Sequence, residues 1–203
     1  EGAQPSPANY SVEMDFRILK DDIGIIFAAK DTSNFLMWQV NTFEKKFNGK
    51  TSFRPHQWVN NAASCIDEKS IDDVIPVEDQ QKQHHIKIQV EGNQITTWID
   101  DIQIDQRTSD LAAYGKIGFR QVTNAGDCDE HGSFDNIVVK DTDTDDILFS
   151  ENFDNGNRSF NFGTVNNGEL EVYNTLGLQK DSMSSAPMYR KEFDVNKEIK
   201  KAT

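Results

Sequence analysis

Residues 25–58 read IIFAAKDTSNFLMWQVNTFEKKFNGKTSFRPHQW, and the reading of this stretch decides the fold. Two apolar runs, GIIFAAKD and NFLMWQV, flank a short polar loop, which is the pattern of a hairpin whose tip lies at the rim of a sheet. The segment from Asn41 to Arg54 is polar and contains Gly and Asn, and reads as a long loop or irregular edge. RPHQW then brings together Arg54, His56 and Trp58. Pro55 favours an extended backbone, and positions two apart on an extended chain face the same way, so Arg54 and His56 project together.

These residue types suit one kind of ligand. A sugar stacks its C–H faces on indole rings, while its hydroxyls take planar amide, carboxylate or guanidinium partners. The stretch is therefore a candidate carbohydrate-recognition surface, with Asp31, Ser33, Asn34, Trp38, Arg54, His56 and Trp58 as its candidate contacts. Trp38 stands in an alternating run and fits the core as well as it fits a platform. Trp58 follows a proline in a polar stretch and reads as exposed. A plainer role for Arg54 is to hold a loop by pairing with an aspartate.

Outward from this stretch the period of two persists. Tyr10, Val12, Met14, Phe16 and Ile18 alternate with polar residues in a half-buried strand, and Asp21, Asp22 and Gly24 mark a turn. HHIKIQV and QITTWID flank Glu91-Gly92-Asn93 as a hairpin. IDDIQI, AAYGKIGFRQV and GSFDNIVVKD add strands, and ILFSENFDNG, SFNFGTV and NNGELEVYN add three more. Cys65 to Gln83 is acidic and irregular. His84 and His85 read as ordinary surface residues, weak as zinc ligands. Short runs separated by turns, with hardly a helical stretch, indicate an all-β antiparallel sandwich.

Composition narrows the partners. With 203 residues and 13 Phe, the chain can fill one large sandwich interior. A formal charge of −13 opposes binding to nucleic acid or an anionic membrane surface. The acidic run DTDTDD at 141–146 reads as solubilising, with calcium as the alternative. Cys65 and Cys128 are compatible with one disulfide or with two thiols. No apolar run is long enough to span a bilayer. The sequence opens without an initiator Met or signal peptide and stops at KEIKKAT in mid-pattern, as a piece of a longer chain would.

The strand order together with FxAxDxxNxLMWQ, RPH, HxIKIxVxGNxIxTWID, YGKIGFR and SFDNIVVKD resembles the concanavalin A-like lectin/glucanase superfamily. More closely, it is similar to the jelly-roll carbohydrate-binding module, grouped as family 67, of bacterial family 78 α-L-rhamnosidases. The tail APMYRKEFDVNKEIKKAT is similar to the segment leading those enzymes into their next β-domain. The resemblance covers residues 9–203. It implies sugar contact at Ser33, Asn34 and Trp58. Related modules carry Asp-Asn at the first pair, with a calcium ion beside it; here Ser33 replaces the aspartate, and Asp31 would have to serve the ion. It also implies a structural calcium near the last strand, with Asp135 in the matching place and Glu151 and Asp154 nearby. Hydrogen bonding to turn amides is the plainer role for these carboxylates.

In many such sandwiches a motif like ENFDNG…GTVNNGELEV precedes the strand that here begins at Tyr10, whereas here it occupies 151–172. The expectation is one sandwich over residues 9–180, with 147–175 returning to complete its sheets and 186–203 starting a further β-domain. Retaining glucanases of this fold use Glu-x-Asp-x-x-Glu, and the nearest match, Glu13-Met-Asp15, lacks the second glutamate, so no two-carboxylate machine forms. The expected function is a non-catalytic module that binds rhamnose-containing or related plant glycans. Its parent would be a larger glycoside hydrolase, secreted, periplasmic or at a bacterial cell surface, on whose other domains the module packs. The alternative is a spacer domain without sugar affinity.

Overall fold

Alternation builds the first strand: Tyr10, Val12, Met14, Phe16 and Ile18 turn inward, none more than 1% exposed. The structure, a computed structural model, describes residues 9–31, 33–42, 49–113, 116–120, 123–124, 128–157, 163–173 and 188–189. In chain order its strands are β1 (Tyr10–Lys20), β2 (Asp22–Asp31), β3 (Asn34–Asn41), β4 (Ser52–Val59), β5 (Ala62–Cys65) and β6 (Lys69–Ser70). Then come β7 (His84–Glu91), β8 (Gln94–Ile99), β9 (Ile102–Thr108), β10 (Lys116–Arg120), β11 (Thr123–Asn124) and β12 (Cys128–Asp129). The last are β13 (His131–Asp141), β14 (Ile147–Glu151), β15 (Thr164–Asn166), β16 (Glu169–Tyr173) and β17 (Met188–Tyr189).

Two antiparallel sheets face each other as an all-β sandwich. The first runs β15-β16-β13-β1-β7-β8-β9, with β14 also paired to β13; the second runs β17-β10-β2-β3-β4-β5, with β6 paired to β4. Residues 147–151 and 164–173 thus lie in the same sheet as β1, alongside β13. Met188 and Tyr189 pair with Arg120 and Phe119 at the edge of the second sheet. The remainder of 186–203, read from sequence as the start of another domain, lies outside the described residues.

The chain crosses from the first sheet to the second through Asp21, which takes the left-handed φ of +59°. This is tighter than the turn expected over Asp21, Asp22 and Gly24, because Asp22 already belongs to β2 and is buried. Likewise the polar reading of residues 41–54 gives way at Ser52, where β4 starts, so Arg54 stands on a strand.

Between the sheets lies an apolar core in which Ile25, Phe27, Leu36, Trp38, Val40 and Phe53 of the second sheet meet Phe16, Ile86, Ile88 and Ile99 of the first. Fully burying one such large side chain stabilises the fold by roughly 1.5–3 kcal/mol. Trp38 is 0% exposed, sits edge-on to Phe27 and Phe53, and donates Nε1–H to Thr97 Oγ1 across the sandwich at 2.9 Å. It is therefore a core residue and not a sugar platform: an indole is large enough to span the gap, and Thr97 satisfies its one polar atom. Beside it the open side of the sandwich is closed by charge, with Lys69 of β6 2.9 Å from Asp105 of β9 and Arg107 bonded to the same carboxylate. Inward-pointing charges of this kind also protect an edge strand from pairing with another chain.

The surface reading of His84 is corrected as well. Its ring is buried, hydrogen-bonded through Nδ1 to Asp100 at 2.7 Å and through Nε2 to the Asp79 carbonyl at 3.1 Å, whereas His85 points outward to Asp15.

Candidate functional site

The outer face of the second sheet follows from the same alternation that fills the core. Since Leu36, Trp38 and Val40 turn inward, Phe35, Met37, Gln39 and Asn41 of β3 turn outward. On β4, Phe53 is inward, which leaves Arg54, His56 and Trp58 outward. Register then aligns the rows: Arg120, Gly24, Gln39 and Arg54 lie side by side across four strands, and Ile26, Met37 and His56 form the next row. A Cβ at Gly24 would come within 2.9 Å of the Arg120 carbonyl and 3.0 Å of Met37 Sδ, so glycine is what lets β10 and Met37 approach.

Trp58 lies parallel to Phe35 of β3, while its neighbour on β5 is Ala63. The indole thus has one face on a phenyl ring. The Arg120 guanidinium stands 5.7 Å from the indole centroid, and the His56 ring 5.9 Å from it. Beneath the indole Ile26, Ala29, Phe35 and Met37 form a small apolar cluster separate from the main core.

Polar groups around Trp58 are held in one chain of hydrogen bonds. Asp22 Oδ2 accepts from Gln39 Nε2 at 2.7 Å and from Asn41 Nδ2 at 3.3 Å. That turns Gln39 Oε1 the other way, where it accepts from Arg54 Nη1 at 2.9 Å and meets His56 Nε2 at 3.3 Å. His56 therefore carries a proton on Nε2. Arg54 Nε lies 3.0 Å from Glu68. Burial pushes the Asp22 carboxyl up to about 6, against the opposing pull of a hydrogen bond with Glu130, the charge of Arg120 and the Gln39 amide. Burial also lowers the Arg120 guanidinium from its ordinary value, opposed by Glu130 and Asp22.

The rim residues behave differently. Asp31 Oδ1 accepts from the Ser33 amide at 2.8 Å and from Asn34 Nδ2 at 2.9 Å, and those bonds hold its carboxyl below the ordinary range. Asn34 Oδ1 in turn accepts from the Asn60 amide, and the Ser33 carbonyl from the Asn61 amide. Asp31, Ser33 and Asn34 thus tie the β2–β3 loop to the β4–β5 turn. Sequence reasoning had gathered seven candidates into one surface; Arg54, His56 and Trp58 share a face, the rim three bond to each other, and Trp38 lies on the opposite side of the sheet.

The carboxylates expected to hold a metal were tested for fit. Among the described residues, no group of three or more His, Cys, Asp or Glu side chains converges as metal ligands would. Asp135 is bonded to Asn136 and is raised by burial and then by the charges of Asp15, Asp154 and Glu169. Glu151 is a strand residue paired with Ile137. Asp31, Asp135 and Asp154 each accept hydrogen bonds from nearby amides. Cys65, at the edge of the second sheet, is a free and exposed thiol.

Gln39, Asp22, Arg120, Glu68 and Glu130 are not among the candidate contacts read from the sequence. Gln39 was within reach, since alternation in LMWQ puts it opposite Trp38 and antiparallel register puts it beside Arg54. Asp22 and Glu130 carried no such signal, being 108 residues apart in a chain rich in acids.

No family model matches the sequence, and no curated protein matches it. Solved structures similar to it include the carbohydrate-binding module CBM66 from Bacillus subtilis, at 21% identity and a TM-score of 0.43, covering 55% of this chain and 66% of that one. CG-16, a homodimeric agglutinin from chicken liver, matches at 14% identity and 0.43, over 56% of this chain and 82% of that one. Sheep galectin-11, in complex with glycerol, matches at 10% and 0.41, over 52% and 77%. At such identities no residue role is carried across.

Proposed function

We propose that the outer face of the second sheet binds a carbohydrate, with Trp58 as the stacking platform and Arg54 and His56 as hydrogen-bonding partners of neighbouring ring hydroxyls. One observation carries this reading: Arg54, His56 and Trp58 occupy successive outward positions of β4, and Gln39 Oε1 holds the first two in fixed orientation. An apolar plane beside rigidly held hydrogen-bonding groups matches a ring with a C–H face and equatorial or axial hydroxyls. Recognition of this open kind is shallow. Within that reading the ligand is a deoxy sugar of the rhamnose class, whose C6 methyl group would lie on the indole. The domain would then be a secreted, periplasmic or cell-surface module of a larger glycoside hydrolase resembling an α-L-rhamnosidase, with chemistry supplied by other domains.

A second reading, a spacer domain without sugar affinity, is favoured by the rim: Asp31, Ser33 and Asn34 bond to one another and to the β4–β5 turn. Titration with L-rhamnose and rhamnose-containing oligosaccharides, followed by tryptophan fluorescence, separates the two. Saturable quenching that is lost in Trp58→Ala supports binding. A flat response to all of these sugars supports the spacer.

A further inference from the structure

The geometry points to a second carbohydrate site, on the outer face of the first sheet, where Trp98, Lys87, Glu13 and His85 are set out to hold a neutral oligosaccharide lying across the strands. The inference does not depend on the reading of Trp58, which belongs to the other sheet.

Alternation on β8 decides the faces. Ile95, Thr97 and Ile99 are buried, which turns Thr96 and Trp98 outward, and Trp98 keeps part of its surface open to solvent. Of the chain's three tryptophans, Trp38 lies in the core and Trp58 on the second sheet, so Trp98 is the one the first sheet presents. Register lays a row across the sheet at this level: Gln103 of β9, Trp98 of β8, Lys87 of β7 and Glu13 of β1. His85 and Asp15, each two positions along its strand, make the adjoining row.

Within these rows an apolar plane stands beside a donor and then an acceptor. Lys87 Nζ lies 6.0 Å from the Trp98 ring centroid and 3.4 Å from Glu13 Oε1. Ser11 Oγ donates to the same oxygen at 3.1 Å, which fixes the carboxylate. Its other oxygen, Oε2, faces His85 Nε2 at 4.0 Å, too far for a direct hydrogen bond. A hydroxyl bridges such a separation, donating to Glu13 and accepting from the imidazole when His85 carries both protons. His85 is itself anchored, its Nδ1 lying 2.8 Å from Asp15 Oδ1, and Asp15 Oδ2 accepts from Gln83 at 2.7 Å and from Asn136 at 2.9 Å. These bonds run from β13 through β1 to β7, so the spacing of the groups is set by the protein itself.

Charge and reach choose the ligand. The charged groups of this face are matched among themselves: Glu13 with Lys87, Asp15 with His85, and Arg17 with Glu169. Pairs of this kind exert no net pull on a polyanion or a polycation, while their oxygens and N–H groups suit hydroxyls. Around the indole the row is amide, ammonium and carboxylate, unlike the apolar centre of a protein interface. From β8 to β1 is two strand spacings, about 10 Å, which is more than one sugar ring covers. A ring stacked on Trp98 therefore leaves Glu13 and His85 to the next ring, and the site selects a chain over a monosaccharide.

The test uses the whole chain, with neutral cello-, xylo-, manno- and galacto-oligosaccharides as probes and the matching monosaccharides beside them. Two-dimensional NMR reads the indole N–H signals, assigned from single Trp→Phe substitutions, and the His85 ring. The expected result is a saturable shift of the Trp98 indole and the His85 ring with at least one oligosaccharide, and weaker binding of its monosaccharide. Affinity read at the His85 ring is expected to fall on the order of tenfold in Trp98→Ala and in Glu13→Ala. Lys87→Met keeps the aliphatic stem and removes only the ammonium, so its expected loss of affinity is not a loss of fold. Signals on this face that stay still at the highest concentration of every oligosaccharide would overturn the inference. So would a response confined to the Trp58 indole, or unchanged affinity in Glu13→Ala and Lys87→Met. A response at Trp98 with none at Trp58 would establish the two faces as independent.

Discussion

Trp58 lies flat against Phe35, their ring centroids 4.7 Å apart and their planes inclined by only 12°. The contact joins two neighbouring strands on the outer face and fixes the orientation of the indole. Trp58→Ala is expected to weaken sugar binding by more than about tenfold, given ~0.5–1.5 kcal/mol for aromatic stacking beyond the area it buries. Fluorescence titration and calorimetry check this. Retained affinity would exclude the indole as the platform.

Trp38, on the inner face of the neighbouring strand β3, has the opposite assignment. Its Nε1–H donates to Thr97 at 2.9 Å from the other sheet. Thr97→Val keeps the shape and removes the acceptor, leaving a buried donor alone at a cost of about 1–3 kcal/mol. Urea denaturation should record that loss, while the sugar response stays as it was. A change in sugar affinity without a change in stability would contradict the core assignment.

These two tryptophans show what alternation conveys and what it withholds. The strand from Tyr10 to Ile18 and the hairpin around Gly92 were legible because polar and apolar residues alternate on them, one face wet and one dry. So was the shared face of Arg54 and His56, which needs only an extended backbone. In NFLMWQV both faces are apolar, since one lines the main core and the other the small cluster under Trp58, so no period told which face was inner. Thr97, 59 residues further on, decides it. Asp22 looked like a turn residue because aspartates commonly are. The left-handed Asp21 makes the turn alone and lets Asp22 start a strand beside Gln39 and Asn41.

Asp105 should govern part of the acid limb of stability. Burial alone would raise its carboxyl, but the bonds from Arg107 and Lys69 outweigh burial and hold it below its ordinary value. A lowered acid contributes stability that is present above the unfolded value and lost as pH falls through the folded one. Asp105→Asn breaks a buried ion cluster and is expected to cost up to about 3 kcal/mol at neutral pH, with the difference shrinking in acid. Denaturant midpoints at neutral and acidic pH provide the check.

Calcium offers a simple removal experiment. The Asp31 oxygens are taken by Ser33 and Asn34, and no three ligating side chains converge among the described residues. Chelator is therefore expected to leave both the melting temperature and the sugar response where they are. A calcium-dependent rise of several degrees would place a site on residues outside those described.

Asp22 should pull stability in the direction opposite to Asp105. Its carboxyl is raised to about 6 from an ordinary 3.8, so between those values the native state holds a proton that the unfolded chain has released. The stabilising contribution is full below the unfolded value and declines as pH rises through the folded one. The measured profile of the chain is a sum over many acids, so the slope of one is hidden in it. Subtracting the profile of Asp22→Asn from that of the unsubstituted chain isolates it: the substitution is expected to become relatively more favourable as pH rises from 3.8 to about 6, and the difference levels off above that. A difference that is constant with pH would mean that Asp22 titrates alike in the folded and unfolded chain.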